Sequence, residues 1–197
     1  HQLFLTRGVP GTHDLNLLMK TIKKLKEKKF KTVFIPNFDK SSDDRFKKNK
    51  WQKIKKRPDI IILEGWCVGA RNQKKSELKK PLNYIEKKYD KNLIWRKTVN
   101  NCLKNQYKKL FKRIDKLVYL KAPNFNDIFR WRLLQEQKMK LTSKSKNTMS
   151  KTQVKKFIMF YERITKNMMR DFSKISDLTV FLDKSHRSKK MNFYNNV

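Results

Sequence analysis

The sequence has few of the residues that build metal sites, disulfide frameworks and tight turns. Its two cysteines, Cys67 and Cys102, lie far apart without metal-ligand spacing, so we expect buried thiols in a reducing compartment. Only four of the 197 residues are glycine. No apolar run approaches the roughly 20 residues that a bilayer-spanning helix needs, and no signal peptide is recognisable. These absences lead us to expect a cytoplasmic protein without membrane partners.

Acidic residues are also scarce, and the formal net charge is +34. Such a charge raises the possibility of a nucleic-acid partner. Most of the basic residues are lysines spread over nearly every segment, whereas nucleic-acid sites favour arginine for bidentate contacts. We therefore interpret most lysines as solvated and nucleic acid as an unlikely partner, with a basic nucleic-acid-binding protein kept as the alternative.

Apolar residues recur at helical spacing in some segments and form short continuous runs in others. The clearest helix begins at a capping box made of Ser150 and Gln153. The run DIIILE at 59–64 suits a central parallel strand covered on both faces. We predict further helices over 14–29, 82–113 and 124–140, and further strands over 32–36, 116–121 and 177–183.

Strands that alternate with helices predict an α/β domain with a mainly parallel sheet. We assign residues 1–183 to this domain and 184–197 to a loose basic tail.

Four segments carry residues suited to chemistry. Glu64 closes the DIIILE run, where open α/β sheets place their ligands, although many strands end in an exposed acid. The segment RGVPGTHD at 7–14 forms a tight loop before a helix N-terminus, which favours anions. FDKSSDDR at 38–45 could clamp a polyhydroxyl, carboxylate or phosphate group, or could be a solvated loop. RWRLLQEQ at 130–137 carries two arginines suited to neutralising developing phosphate charge.

The order of these segments resembles the D-glycerate 3-kinase family of P-loop kinases, which are relatives of phosphoribulokinase, uridine kinase and pantothenate kinase. The resemblance rests on RGVPGTHDL, IPNFDKSSDDR with Trp51, DIIILEGWCVGA, FRWRLLQE, FYERIT and SDLTVFLD, from about residue 3 to about residue 183. It implies a P-loop NTPase-type three-layer α/β/α fold and transfer of the γ-phosphoryl group of ATP, with Mg²⁺, to a hydroxyl of a small metabolite. Glycerate or a similar hydroxy acid or polyol is the expected acceptor, and a nucleoside or a pantothenate-like compound is the alternative.

The resemblance also suggests roles for individual residues. Glu64 would be the Walker B-type acid, holding Mg²⁺ directly or through water, and Arg130 and Arg132 would belong to a lid. The residues expected to face the acceptor are Arg7, His13, Asp14, Asp39, Lys40, Asp44 and Arg45.

One departure from the family pattern is large. The glycines Gly8, Gly11, Gly65 and Gly69 do not form the G-x-x-x-x-G-K-[S/T] loop that cradles ATP phosphates. We expect this loop, the strand that feeds it and an acidic motif that supplies the general base to lie before His1. The 197 residues alone are then expected to be poorly stable and inactive, whereas the complete protein is expected to be active.

Overall fold

The structure is a computed structural model that describes residues 1–39, 44–142 and 148–194. It divides into two compact units. The smaller unit is Asp14–Gly65, and the larger one combines His1–His13 with Trp66–Val197.

The smaller unit consists of one helix and two short antiparallel strand pairs. Its elements are α1 (Leu15–Lys26), β1 (Val33–Ile35), β2 (Phe38–Asp39), β3 (Asp44–Arg45) and β4 (Gln52–Ile54). Strand β1 pairs with β4, and β2 pairs with β3. Leu15 and Leu25 of α1 are buried together with Val33 of β1, as the predicted helix and strand require.

The predicted strand over 59–64 is wrong. This segment is irregular, and it has no backbone pairing in the part of the chain that the structure describes. Ile60 and Ile62 are 78% and 84% exposed. An apolar run becomes a strand through packing and cross-strand pairing rather than through an intrinsic backbone preference, and this run has neither.

The larger unit contains the remaining helices. The region predicted as helix over 82–113 is mostly helical but is interrupted at 90–93, and it includes a π turn at Leu103–Tyr107 between two α-helices. The helices are α2 (Lys75–Lys79), α3 (Tyr84–Tyr89), α4 (Ile94–Cys102), α5 (Lys108–Phe111), α6 (Phe125–Thr142) and α7 (Lys151–Asp171).

Helix α7 is the main core helix of the larger unit. The predicted capping box is confirmed, since Gln153 donates its backbone N–H to Ser150 Oγ at 3.3 Å, and the Gln153 side chain accepts from the Ser150 N–H at 2.7 Å. One face of the helix is buried at positions three and four apart, as an amphipathic helix requires. The buried apolar residues of this face are Val154, Ile158, Tyr161, Ile164 and Met168.

A buried ion network ties α3 and α4 to α7. Arg96 donates Nε to Asp90 Oδ2 at 2.8 Å, and Arg163 of α7 donates to both oxygens of Glu86 at 2.7 Å. All four side chains are at most 11% exposed. Removal of one partner would leave a buried charge without compensation, so the network fixes how these helices pack.

Three strands form the sheet of the larger unit: β5 (Val118–Lys121), β6 (Leu178–Leu182) and β7 (Ser188–Phe193). Strand β5 runs parallel to β6, and β7 pairs with β6 antiparallel. The loose tail predicted over 184–197 is therefore wrong for Ser188–Phe193. Despite its lysines, this segment continues the sheet through a tight turn at Asp183–Arg187.

The described part of the chain has one parallel and three antiparallel strand pairs, so its sheets are less parallel than expected. No helix within it has the length and apolar character needed to cross a membrane. Cys67 is buried and Cys102 half-buried, and both are free thiols.

Candidate functional site

The loop that follows the first residues of the larger unit contains the RGVPGTH motif. Gly8 and Gly11 adopt φ angles of 96° and 105°, which side-chain-bearing residues rarely do. The Thr12 hydroxyl accepts from the Gly8 N–H at 3.0 Å and donates to the Val9 carbonyl at 2.8 Å. These bonds close residues 7–13 into one compact loop, which we call the RGV loop.

Tyr161 of α7 holds one side of the RGV loop. Its hydroxyl donates to the Arg7 carbonyl at 2.6 Å. A Cβ atom on Gly8 would lie 2.4 Å from the hydroxyl oxygen of Tyr161, so only glycine fits at this position. The Tyr161 ring also stacks on Trp66, with ring centroids 4.6 Å apart. Burial raises the pKa of Tyr161 to about 12, so the hydroxyl stays protonated as a donor.

Tyr107, at the end of the π turn, supports the other side of the RGV loop. The Gly11 N–H donates to its hydroxyl at 3.1 Å, and the same oxygen lies 2.5 Å from Nδ1 of His13. His13 is exposed at the surface, yet desolvation by the surrounding protein lowers its pKa. The predicted substrate residues Arg7 and His13 therefore belong to one loop that two tyrosines hold.

The smaller unit holds another group of predicted acceptor residues. Arg45 pairs with Asp14 at 2.9 Å, and the Arg45 N–H donates to Asp44 Oδ1 at 2.6 Å. Asp39 lies opposite Asp44 in the β2–β3 pair. The structure thus brings Asp14, Asp44 and Arg45 together, whereas Lys40 lies outside the described residues.

Asp14 is also the N-cap of α1. Its Oδ1 accepts from the Leu17 N–H at 3.0 Å. This bond, followed by the Arg45 interaction, lowers the pKa of Asp14. The predicted anion-favouring helix N-terminus is therefore occupied by the protein's own carboxylate.

Glu64 is exposed and lies in the irregular segment after Ile62 rather than at the end of a strand. In the part of the chain that the structure describes, no group of three or more His, Cys, Asp or Glu residues could hold a metal ion. A Mg²⁺ role for Glu64 would therefore depend on phosphate oxygens and water as the other ligands. Such mixed coordination is usual for Mg²⁺ in nucleotide sites.

Arg130 and Arg132 lie on α6 but have different environments. Arg130 is 68% exposed and pairs with the buried Asp127 at 3.3 Å. Arg132 pairs with the buried Glu136, and its guanidinium lies 5.5 Å from the Phe157 ring centre. Residues two apart on a helix do not face each other, so the pair does not form one cationic cluster on one helix face.

An open pocket of about 510 Å³ lies along α6 in the larger unit. Arg132 lines it, and most of its other walls are apolar or aromatic. The lining residues that give it this character are Trp66, Ile128, Trp131, Leu134, Met139 and His186, with Gln135 and Lys138 as further polar groups.

The turn before β7 shapes one wall of this pocket. Asp183 Oδ1 accepts from the backbone N–H groups of Ser185 and Arg187 at 2.7 and 2.9 Å. His186 is held at φ 65°, a conformation that is uncommon without glycine. Its ring centre lies 4.1 Å from that of Trp131, whose Nε1 donates to the Lys184 carbonyl at 2.8 Å.

Sequence reasoning missed most of these pocket and loop-supporting residues. Trp66 and Trp131 were not among the predicted site residues. Tyr107 carries no local signal, and Tyr161 lies in the FYERIT motif, which does not indicate its contact with the loop. Each tyrosine reaches the RGV loop from more than 90 positions away in the sequence. The tight turn could have been suspected from Asp183 followed by Ser185, a common pairing in side-chain-stabilised turns.

Comparison with known proteins shows that the chain is similar to proteins named as kinases. It is 32% identical to the uncharacterized kinase mug58 of Schizosaccharomyces pombe, over 79% of the chain and 56% of that protein. It is 29% identical to the probable ATP-dependent kinase TDA10 of Saccharomyces cerevisiae, over 94% of the chain and 65% of that protein. It is also 29% identical to the chloroplastic D-glycerate 3-kinase of Arabidopsis thaliana, over 79% of the chain and 32% of that protein. No protein-family model matches.

The chain is a homologue of D-glycerate 3-kinase and related ATP-dependent kinases. The solved structure of a D-glycerate 3-kinase from Cryptococcus neoformans matches 98% of the chain and 70% of that protein with a TM-score of 0.77. At 24% identity, this match speaks for the fold alone. The predicted α/β fold and the resemblance to the D-glycerate 3-kinase family are confirmed. The chain spans 56% and 65% of the lengths of the first two relatives, and the roles of individual residues stay predictions.

Proposed function

We propose that the protein carrying this D-glycerate 3-kinase-like chain is an ATP-dependent kinase. It transfers the γ-phosphoryl group to a hydroxyl of a small metabolite, and glycerate or a similar hydroxy acid is the preferred acceptor. The observation that carries the proposal is the similarity to kinases over 79% to 94% of the chain. A cytoplasmic location stays a prediction.

The pocket along α6 supports binding of ATP. A nucleobase is flat and apolar on its faces, and the Trp131, Trp66 and Met139 side chains offer matching surfaces. Arg132 and Lys138 add positive charge beside them, which favours phosphate groups. We assign this pocket to the nucleotide, with Arg132 as the lid arginine nearest to it.

The RGV loop supports binding of the acceptor. Its conformation is fixed by two left-handed glycines and by tyrosines on both sides. A preorganised loop loses little conformational entropy when a ligand binds. We assign acceptor binding to Arg7 and His13, and we retain Asp14, Asp39, Lys40, Asp44 and Arg45 as further acceptor-binding predictions.

Glu64 is the proposed carboxylate for Mg²⁺, directly or through water. Mg²⁺ keeps several waters and takes one or two carboxylates besides phosphate oxygens, so a single exposed carboxylate fits this ion. The metal would neutralise charge on the transferring phosphate. In this proposal, Glu64 is the residue of this chain that would hold the metal.

A coupled assay of ADP release by the complete natural protein tests the function. Glycerate, pantothenate and uridine are each supplied with ATP and Mg²⁺. We expect ADP release that depends on glycerate and that falls by at least about 100-fold in Glu64→Gln, because the metal loses its carboxylate. The matched control is Glu27→Gln, which removes an exposed carboxylate after α1 and should leave the rate unchanged.

If uridine or pantothenate is preferred, the proposed hydroxy-acid acceptor is wrong, but the proposed kinase activity stands. ADP release that no acceptor stimulates would contradict the kinase itself. Equal loss of activity in both glutamate variants would remove Glu64 from the proposed metal site.

A further inference from the structure

The contact between His13 and Tyr107 is more specific than loop support requires. The phenolic oxygen lies 3.1 Å from Gly11 N and 2.5 Å from His13 Nδ1, and the backbone N–H of His13 also faces it. The Gly11 N–H can only donate, so the phenolic oxygen accepts this bond. The second contact then depends on whether the phenol or the imidazole supplies the proton.

The burial of Tyr107 decides between these two arrangements. The residue is only 3% exposed, and the backbone N–H groups of Gly11 and His13 that face its hydroxyl can only donate. If Nδ1–H donated to the phenol, the phenolic proton would be left buried without an acceptor, which is costly. If the phenol donates to Nδ1, every polar atom at this contact is satisfied.

The ionisation of both groups agrees with this arrangement. Burial raises the pKa of Tyr107 to about 12, so the phenol keeps its proton near neutral pH. Desolvation by the surrounding protein lowers the pKa of His13, which favours the neutral ring. A neutral imidazole carries one proton, and an Nδ1 that accepts leaves that proton on Nε2.

We propose that Tyr107 is a positioning residue that holds His13 in its Nε2–H form, so that an exposed, neutral N–H donor is available to the carboxylate of the acceptor. The role of His13 toward the acceptor rests on the function proposed above. The tautomer itself follows from the hydrogen bonds of this loop and does not depend on that function.

Nitrogen-15 NMR of the complete protein tests the tautomer without reference to activity. Long-range nitrogen–proton correlations distinguish a protonated Nε2 from a protonated Nδ1, and the loss of the signal in His13→Gln assigns it. We expect Nε2–H in the wild type and a mixture of both tautomers in Tyr107→Phe. The matched control is Tyr119→Phe, which removes the hydroxyl of a half-buried tyrosine that packs on Phe172, away from the RGV loop.

Steady-state kinetics of the same variants tests the link to the acceptor. We expect Tyr107→Phe to raise the KM for the hydroxy acid by about three- to tenfold, the size of one hydrogen bond, and to leave the KM for ATP unchanged. Tyr119→Phe should change neither constant.

A protonated Nδ1 in the wild type would overturn the proposal, and this measurement needs no variant to fold. A tautomer that is the same in wild type and Tyr107→Phe would overturn it as well. Equal increases in both KM values would remove the link to the acceptor. Absence of kinase activity with every acceptor would instead contradict the proposed function, while the NMR result would still decide the tautomer.

Discussion

The RGV loop and the DIIILE segment differ in how the rest of the chain holds them. Both were predicted from sequence as parts of a phosphoryl-transfer site. Each side of the RGV loop has a buried tyrosine as hydrogen-bond partner. The DIIILE segment has no strand pairing in the described part of the chain, and it exposes Ile60 and Ile62. Local sequence therefore identified both segments but did not reveal how firmly each is fixed.

This difference shows what a motif needs before its conformation is determined. The RGV loop combines glycines that permit its shape with distant side chains that require it. The DIIILE segment has only its own apolar character, and such a run needs a partner strand or a covering layer to become ordered in a sheet. Four substitutions test how firmly these parts of the chain are held, and they follow in order of expected effect.

Gly8→Ala should have the largest effect. The new methyl group would meet the Tyr161 hydroxyl at 2.4 Å, and the φ angle of 96° is strained for alanine. We expect the free energy of unfolding to fall by about 2–4 kcal/mol, measured by chemical denaturation. Gly65→Ala is the matched control beside the DIIILE segment, because Gly65 has no left-handed φ angle. Equal losses in both variants would mean that the RGV loop is not specially constrained.

Tyr161→Phe should have the next largest effect. It removes the bond to the Arg7 carbonyl but keeps the ring that stacks on Trp66. We expect a loss of about 1–2 kcal/mol, since a half-buried carbonyl loses its partner. Thermal unfolding measures this loss, and Tyr119→Phe, which keeps all RGV loop contacts, should cost less. A larger cost for Tyr119→Phe would contradict our account of the loop.

Asp14→Ala should cost about 1 kcal/mol, because the cap of α1 is lost. Asp14→Asn keeps a capping oxygen and removes only the charge, so it should cost less, given that the Arg45 pair is half exposed. The pKa of Asp14 is lower in the folded state, so the stability that its charge provides is present above the unfolded pKa. That stability is lost as the pH falls through the folded pKa. Unfolding curves between pH 7 and pH 2 should therefore converge for wild type and Asp14→Asn at the acid end.

Ile62→Ser should have the smallest effect. An isoleucine that is 84% exposed contributes little to the folded state, so we expect a change within about 0.5 kcal/mol. Val33→Ala at the buried position of β1 is the matched comparison and should cost more, because it leaves a cavity. A cost of several kcal/mol for Ile62→Ser would show that the DIIILE segment is a buried strand after all.

Elements with strong local signals could be predicted from the sequence. Helix α7 begins at its capping box, and strands β1, β5 and β6 lie within their predicted ranges. Strand β7 could not be predicted, because lysines surround its apolar residues and its stability comes from pairing with β6. The family resemblance was also recognised from local motifs, since the order of short segments along the chain is itself sequence information.

The candidate site could be predicted only in part. The tight loop predicted for RGVPGTHD is present, whereas the pairing of Asp14 with Arg45 was not predicted. The different surroundings of Arg130 and Arg132 follow from helix geometry, which a sequence motif does not display. The tyrosines that hold the loop come from other helices, and only the folded chain brings them to it.

The π turn at Leu103–Tyr107 also bears on how the length of this chain can vary. A π turn accommodates one extra residue in a helix, and here Val99 before it and Leu110 after it are both buried. Deletion of one residue inside this turn would convert it to α-helix and leave Val99 and Leu110 both facing the core. Deletion elsewhere in either helix would instead rotate every later side chain by about 100° around the helix axis. The same deletion would remove the wide turn that ends at Tyr107, so homologous chains that differ by one residue here should also differ in how they hold the histidine.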